Sequence, residues 1–371
     1  MPDTGPQSFA RRLALALAWF AAWGALLGLA LWTLGRVLSD RFHWTQYLAW
    51  IPSLPMGAGV LAALGISRLF AWRSGAARRA RAIGWLGVLA LAAYSGLIEW
   101  HALRPVPSNL AAPAFRVVYW NRSTSGEVGW EYPALEHEPD LVVVRAGTCT
   151  KPEGPARRMS GSFCWDLGFQ VATRAPIRAW GVGALRVEQG LGLDPREPDL
   201  VRKGRDPGRA MWLLLDAHAK LGRDLVVWLV DMPSDLSLWR DRAMAQAAQA
   251  LRAGPERVYV SDELGRWVEA PEWKIPRSAF SRPDLIVGDF NTPHGSHSIR
   301  HAVGDFASAF DQAGRGYGAT FPARWPLWML DQAYVAPELH ATHFEVSAAL
   351  DGTHRMIEFG VAPAPTSTKT H

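Results

Sequence analysis

A chain of 371 residues, 49% hydrophobic and 20% charged, is too apolar for a disordered segment and long enough for one sizeable globular domain plus a second part. Its formal charge of +5 is unevenly spread: residues 1–111 carry ten arginines, no lysine and three acids, a balance of +7 that leaves −2 for the rest. The larger part therefore lacks the broad cationic field of a protein that grips a nucleic-acid backbone, and nucleic acid is not the expected partner.

From Leu13 to Gly35 no charge interrupts the apolar run, which has the length of a helix that crosses a bilayer. A second uncharged run, Thr45 to Ser67, is expected to span as well, kinked at Pro52 and Pro55. A third, beginning at Ala82, meets Glu99 and reaches span length only if Trp100 and His101 sit at the interface. The spans are thus expected at about 13–35, 45–67 and 82–101, within a membrane region of residues 1–103. A cleavable signal peptide is the competing reading of the first run, but that run is too long and two more follow. Arginines crowd the N-terminus (Arg11, Arg12) and the second connection (Arg68, Arg73, Arg78, Arg79, Arg81). The positive-inside rule then places the N-terminus in the cytoplasm and, after three crossings of the inner membrane, everything beyond Arg104 outside it. The lipid bilayer is the partner this implies.

Residues 104–113 (RPVPSNLAAP) have the composition of a tether, and a domain is expected over 114–362 with a disordered tail at 363–371. Short β-branched or apolar runs read as strands: FRVVYWN (115–121), DLVVVRAG (140–147), WGVGALRV, MWLLLD, RDLVVWLVD and PDLIVGDF. The segment between the first two could hold one helix, and Leu238 to Ala253 is strongly helix-forming. Alternation of this kind argues one mixed α/β domain. Cys149 and Cys164 are too few for a zinc framework. In an oxidising compartment they could close a loop worth ~3 kcal/mol, or they are two independent buried thiols.

The most informative tetrapeptide is Gly288-Asp289-Phe290-Asn291, which follows the apolar run Leu285-Ile286-Val287. Asp and Asn two apart on an extended chain project to one side, so one can handle a proton while the other donates to a phosphate oxygen. The bland alternative is an Asx-capped turn.

Several segments, taken in order, resemble motifs of the endonuclease/exonuclease/phosphatase family: VVYWN ending at Asn121, PDLVVVRAG, VVWLVDMP, LIVGDFNTP, GYGATFPARWPLWMLDQAYV and GTHRMI. The resemblance covers essentially the whole domain. It implies a four-layer α/β/β/α sandwich and a phosphoesterase activity on phosphate mono- or diesters. It also implies that His354, held by Asp331, activates or positions the attack on phosphorus, that Asp289 manages a proton, and that Asn121 and Asn291 hydrogen-bond the phosphate. Without that context His354 would read as a surface strand residue and Asp331 as a strand-end cap.

The departures fall on the family's metal ligands. Arg145-Ala146 stands where the family has Gln-Glu, Thr353 where it has the Asp before the final His, and Ser123 at an acidic position. The central strand's His is Asp231, and an Asp-His pair is Asp331-Gln332. Mg²⁺ or Mn²⁺, the cofactor implied by an active member, needs carboxylates and water, so the standard site is expected to be lost and the enzyme to be weak or a pseudoenzyme. Two alternatives stand beside loss: a shifted site using Asp231, Asp289 and Asp351, or Arg145 clamping phosphate in place of the metal. The plain reading of Arg145 is a solvated strand-end residue or an ion-pair partner. The expected ligand is a small phosphate ester or a lipid headgroup. A different class remains beside these, a non-catalytic membrane-tethered module that binds a ligand or protein in the inherited cleft.

Overall fold

The computed structural model of the chain describes residues 6–70, 75–105, 114–122, 138–145, 162–187, 206–347 and 352–365. It divides into two compact units, Met1–Leu103 and Arg104–His371.

The first unit is helical: α1 (Pro6–Leu38), α2 (His43–Ala49), α3 (Ser53–Phe70) and α4 (Gly75–Tyr94), with α4 continuing into a π-helical turn, Ser95–Glu99. Three stretches within it, Arg12–Leu38, Ser53–Phe70 and Arg78–Glu99, are long and apolar enough to cross a membrane. Pro52 and Pro55 do more than kink the second run. Pro52 lacks an N–H and forces Ile51 out of helical geometry, so α2 ends before it; Pro55 falls in the first turn of α3, where a missing donor costs nothing. Small residues let the helices approach: a Cβ on Gly35 would lie 2.5 Å from the backbone of Leu48. The core is thin (Ala25, Val60 and Leu64), while Phe20, Leu27, Leu86 and Leu89 turn outward and are exposed.

The second unit carries two sheets. The first has the order β13-β14-β1-β2-β4-β3, built from β1 (Phe115–Asn121), β2 (Leu141–Arg145), β3 (Ser162–Asp166), β4 (Phe169–Thr173), β13 (Leu339–Ser347) and β14 (Met356–Pro363). The second has the order β11-β12-β10-β7-β6-β5-β8-β9: β5 (Ile177–Ala184), β6 (Arg209–Asp216), β7 (Asp224–Asp231), β8 (Arg257–Ser261), β9 (Trp267–Glu269), β10 (Leu285–Asp289), β11 (Ala307–Ser308) and β12 (Asp331–Val335). Short helices α5 (His218–Leu221), α7 (Ile299–Val303) and α8 (Ala309–Ala313) and the longer α6 (Arg240–Ala253) complete it.

Alternation assigns the faces. Phe115, Val117 and Tyr119 of β1 meet Leu225, Val227 and Leu229 of β7 and Leu285 and Val287 of β10 in one core between the sheets. The intervening Trp228, Val230 and Ile286 bury the opposite face against Ala243, Met244, Ala247, Ala248 and Leu251 of α6. Burying both faces is why β7 and β10 read as continuous apolar runs rather than alternating ones. Burial of Met244 and Leu251 stabilises the α6 contact by about 1.5–3 kcal/mol each. This is the mixed α/β, two-sheet fold the motifs implied, with one helical layer on the eight-stranded sheet. The helix expected between the first two strands falls largely on 123–137, outside the described residues.

Several expectations need correction or lie out of reach. Arg104, read as part of a tether, donates to the carbonyls of Phe310, Asp311 and Gly314 around α8. The last strand runs on to Pro363. His354, read without the resemblance as a surface residue, is 5% exposed. Ser123, Ala146, Cys149 and Asp351 lie outside the described residues, as does the side chain of Cys164, and with them the disulfide and the shifted metal site through Asp351.

Candidate active site

Register puts the candidate residues in two rows. Asp231, Asp289 and Asp331 are direct neighbours across β7, β10 and β12, and Asn121 lies beside Arg145 across β1 and β2. Three adjacent carboxylates on one face repel, and each is held in a different way.

Asp231 is neutralised by Arg145, whose Nε donates to Oδ2 at 2.7 Å; the side chains are 8% and 13% exposed. Burial nevertheless raises the Asp231 pKa, the Arg145 charge pulling it back. The same burial works against the Arg145 charge, but Asp231 outweighs it and the guanidinium pKa rises. Asp331, fully buried, takes His354 Nδ1 on Oδ2 at 2.8 Å. Burial disfavours the imidazolium, yet Asp331, through charge and hydrogen bond, and Asp289 more than compensate and bring the pKa to about 9. His354 is therefore charged at neutral pH, and the bond to Asp331 orients its ring.

Asp289 sits between them. Asn121 Nδ2 donates to its Oδ2 at 2.8 Å, bridging the two sheets. Asn291 N donates to Oδ1 at 2.8 Å, and Asn291 Nδ2 donates to Oδ2 at 3.2 Å and to Met232 O at 2.6 Å. Asn291 is thus both an Asx-turn residue, with φ at 44°, and a brace on the loop after β7. Burial and then the Asp331 charge push Asp289 up to about 7, against the pull of His354, whose Nε2 faces Oδ2 at 3.9 Å. An imidazolium facing a carboxyl group that titrates near neutrality is an acid and a base addressed to one small volume.

The five residues on which the motif reading depends, Asn121, Asp289, Asn291, Asp331 and His354, come together here, with Arg145 and Asp231 beside them. Other residues, for which the sequence suggests no role in the site, support them. Tyr119 OH accepts from Asp289 N at 3.1 Å. Thr320 Oγ1 accepts from the backbone N of Leu330 and Asp331. The Phe321 ring lies 4.8 Å from the His354 ring, and Trp120 Nε1 donates to His354 O at 3.1 Å. Gln332 donates to Thr292 O and Met329 O, tying the loop after Asn291 to the strand. Arg240, 1% exposed, donates to Pro233 O and Asp235 O behind Asp231. Thr320 carried a signal, lying in the Thr-aromatic-Pro motif; Tyr119 had only its inward place in the β1 alternation.

The divalent ion of the family is a poor fit to these residues. Asp289, Asp331 and His354 offer ligand atoms within 4.8 Å of one another, a compact group by distance alone. Asp331 Oδ2 is committed to His354, both Asp289 oxygens already accept hydrogen bonds, and His354 would first have to lose a proton held to about pH 9. Asp331 Oδ1 is the one unpartnered oxygen among them, so a hard ion here would depend on water for nearly all of its ligands. Thr353, where a carboxylate would add a ligand, is exposed and tied through its backbone to Arg122 and Ala323.

A sequence model of the Endonuclease/Exonuclease/phosphatase family matches residues 115–353. No curated protein matches the chain. Among solved structures, the chain is similar to a functionally unknown conserved protein from Enterococcus faecalis V583, at 13% identity and a TM-score of 0.44 over 67% of this chain and 100% of that one. It is similar to an endonuclease/exonuclease/phosphatase from Beutenbergia cavernae DSM 12333, at 14% identity and a TM-score of 0.43 over 68% and 72%. A beta toxin from Staphylococcus aureus follows at 12% identity and a TM-score of 0.38 over 66% and 99%. The family match runs from the first residue of β1 to the residue before His354 and takes in both sheets, so this chain belongs to the endonuclease/exonuclease/phosphatase family.

Proposed function

We propose that the chain is a membrane-anchored phosphoesterase-type protein whose globular unit holds a phosphate mono- or diester at His354, Asn121 and Arg145 and hydrolyses it slowly, without a divalent ion. The observation that carries this is the pairing of the His354 imidazolium, fixed by Asp331, with Asp289 at 3.9 Å. The imidazolium donates to a phosphoryl or leaving-group oxygen and stabilises charge that builds there. Asp289, ionised in part near neutrality, takes the proton of an attacking water. Asn121 and Asn291 position Asp289, and Arg145, anchored on Asp231, adds fixed positive potential. Slowness follows from positions 123, 146 and 353, where Ser, Ala and Thr replace the carboxylates that hold a family metal.

Anchoring rests on the three apolar helices and their outward-facing Leu and Phe side chains, which water would not tolerate as a contiguous belt. Arginine placement supports an extracytoplasmic globular unit, where a lipid headgroup is the matching phosphate ester. The lost carboxylates equally favour a second reading, a module that binds the ester without turning it over.

The test is hydrolysis of a generic phosphodiester and phosphomonoester by the full chain in detergent, with Mg²⁺ or Mn²⁺ and with EDTA. Slow turnover that differs less than about tenfold between these conditions and disappears in His354→Ala supports the proposal. Stimulation by Mg²⁺ of about a hundredfold or more overturns it, and binding without turnover moves the chain to the second reading.

A further inference from the structure

The row of aspartates at the strand ends continues one strand further. Arg209, the first residue of β6, lies directly beside Asp231 of β7, and on its other side stands Ala184 of β5. Alternation fixes its direction. Met211, Leu213 and Leu215 of β6 point into the core between the sheets, as do Leu225, Val227 and Leu229 of β7, so Arg209 projects on the same face as Asp231 and Asp289. The row therefore reads Ala184, Arg209, Asp231, Asp289, Asp331 across β5, β6, β7, β10 and β12. The Arg209 charge is felt at Asp231, where with that of Arg145 it works against the burial that raises the carboxyl pKa.

The other charges along this row have partners within the chain. Arg145 donates to Asp231, Asp331 holds His354, and Asn121 and Asn291 donate to Asp289. Asp206, the further acid that acts on Asp231, takes Gly208 N on Oδ1 at 3.0 Å. Arg209 is half-buried, yet its guanidinium has no hydrogen-bond or ion-pair partner among the described residues. A guanidinium presents five donors in a planar fork that matches a phosphate, and one left unmatched in a row of site residues is a place for an anion. His354, on Asp331, and Arg209 mark the two ends of the row, and the Asp231–Arg145 pair between them is already neutralised. A single phosphate at His354 and Asn121 leaves Arg209 unused on the far side of β7. A ligand with two anionic groups fits both ends.

We infer that Arg209 holds a second phosphate of the substrate, roughly 5–10 Å from the one at His354, a distance of one to two strand spacings. The inference rests on the phosphate-ester reading above and narrows its substrate class to esters that carry two phosphates. Two pairs of ligands test it by calorimetric titration into the full chain in detergent, at pH 6 with EDTA. Propyl phosphate is compared with propane-1,3-diyl bisphosphate, and dihexanoyl phosphatidylglycerol with dihexanoyl phosphatidylglycerol phosphate. The second phosphate should tighten binding about tenfold or more in at least one pair, and Arg209→Gln should bring that ratio to about one with unchanged melting. A ratio confined to the lipid pair assigns a headgroup as the source, and one present in the propyl pair assigns the free bisphosphate. If Arg209→Gln melts early, Arg209→Met, which keeps the stem and removes the charge, replaces it. A parent that binds the single phosphates but favours neither bisphosphate overturns the inference, as does a well-folded variant that keeps the ratio; both leave the phosphate-ester reading in place. A parent that binds none of the four ligands overturns that reading and the inference with it.

Discussion

Three aspartates side by side at the ends of β7, β10 and β12 set the chemistry of the site, because the same row contains an ion pair, a dyad and a partly protonated acid. The pH dependence of stability follows from two of these groups. His354 is raised from 6.5 to about 9, so its contribution is complete below about pH 6.5 and is lost as pH rises through 9; at 1.36 kcal/mol per unit this amounts to about 3 kcal/mol. Asp289 is raised from 3.8 to about 7, so the folded state holds the extra proton and loses stability as pH rises from about 4 to 7. Thermal melts of the full chain should decline across both windows, and Asp289→Asn should flatten the lower one. Asp331→Asn should also bring the His354 titration, followed by its imidazole NMR signals, down from about 9 toward its ordinary value. An unchanged titration would mean the dyad does not hold the proton.

The Arg145–Asp231 pair shows what residue-by-residue reading of a sequence can and cannot reach. Both positions stood out, one as a phosphate clamp or plain ion-pair partner and the other as a ligand, but nothing in the sequence joined residues 86 apart on different sheets. Removal of the guanidinium by Arg145→Met leaves a buried carboxylate alone and should cost about 3–5 kcal/mol in denaturant unfolding, most of it recovered in Arg145→Met/Asp231→Leu. A loss below about 1 kcal/mol would show that the pair is solvated.

At the scale of elements, the strands read from sequence were those with both faces buried, β7 and β10 above all, because an uninterrupted apolar run leaves little choice. The β8–β9 hairpin drew no expectation: β9 is three residues long and mostly exposed. Neither did β13, whose alternation is broken by a register shift between Ala341 and His343. The site motif was legible for a related reason, since Asp289, Asp331 and Asn121 each end or begin a strand, where side chains leave the sheet. Gly288 has its own steric duty within β10, because a Cβ there would lie 1.9 Å from Val230 O. Gly288→Ala should therefore force β7 and β10 apart and destabilise the chain by about 3 kcal/mol, seen as a lowered melting temperature. A neutral effect would contradict the close approach that aligns Asp231 with Asp289.

For the whole molecule, splitting the charge at residue 111 separated two kinds of chain, a basic apolar one and a slightly acidic mixed α/β one, and the two compact units follow that division. In the proposed function, what joins them is a phosphate ester offered at a membrane. The proposed function requires the globular unit to recognise that ester with its own side chains, through an imidazolium, an amide and an anchored guanidinium. Its most direct test is a calorimetric titration of a phosphate monoester into the full chain in excess EDTA, at pH 6 and pH 8.5, with His354→Ala and Asn121→Ala alongside. Binding should be present without metal and weaken at the higher pH as Asp289 and then His354 lose protons. Each variant should lower affinity about tenfold or more. No binding in EDTA, or equal binding by both variants, would contradict it.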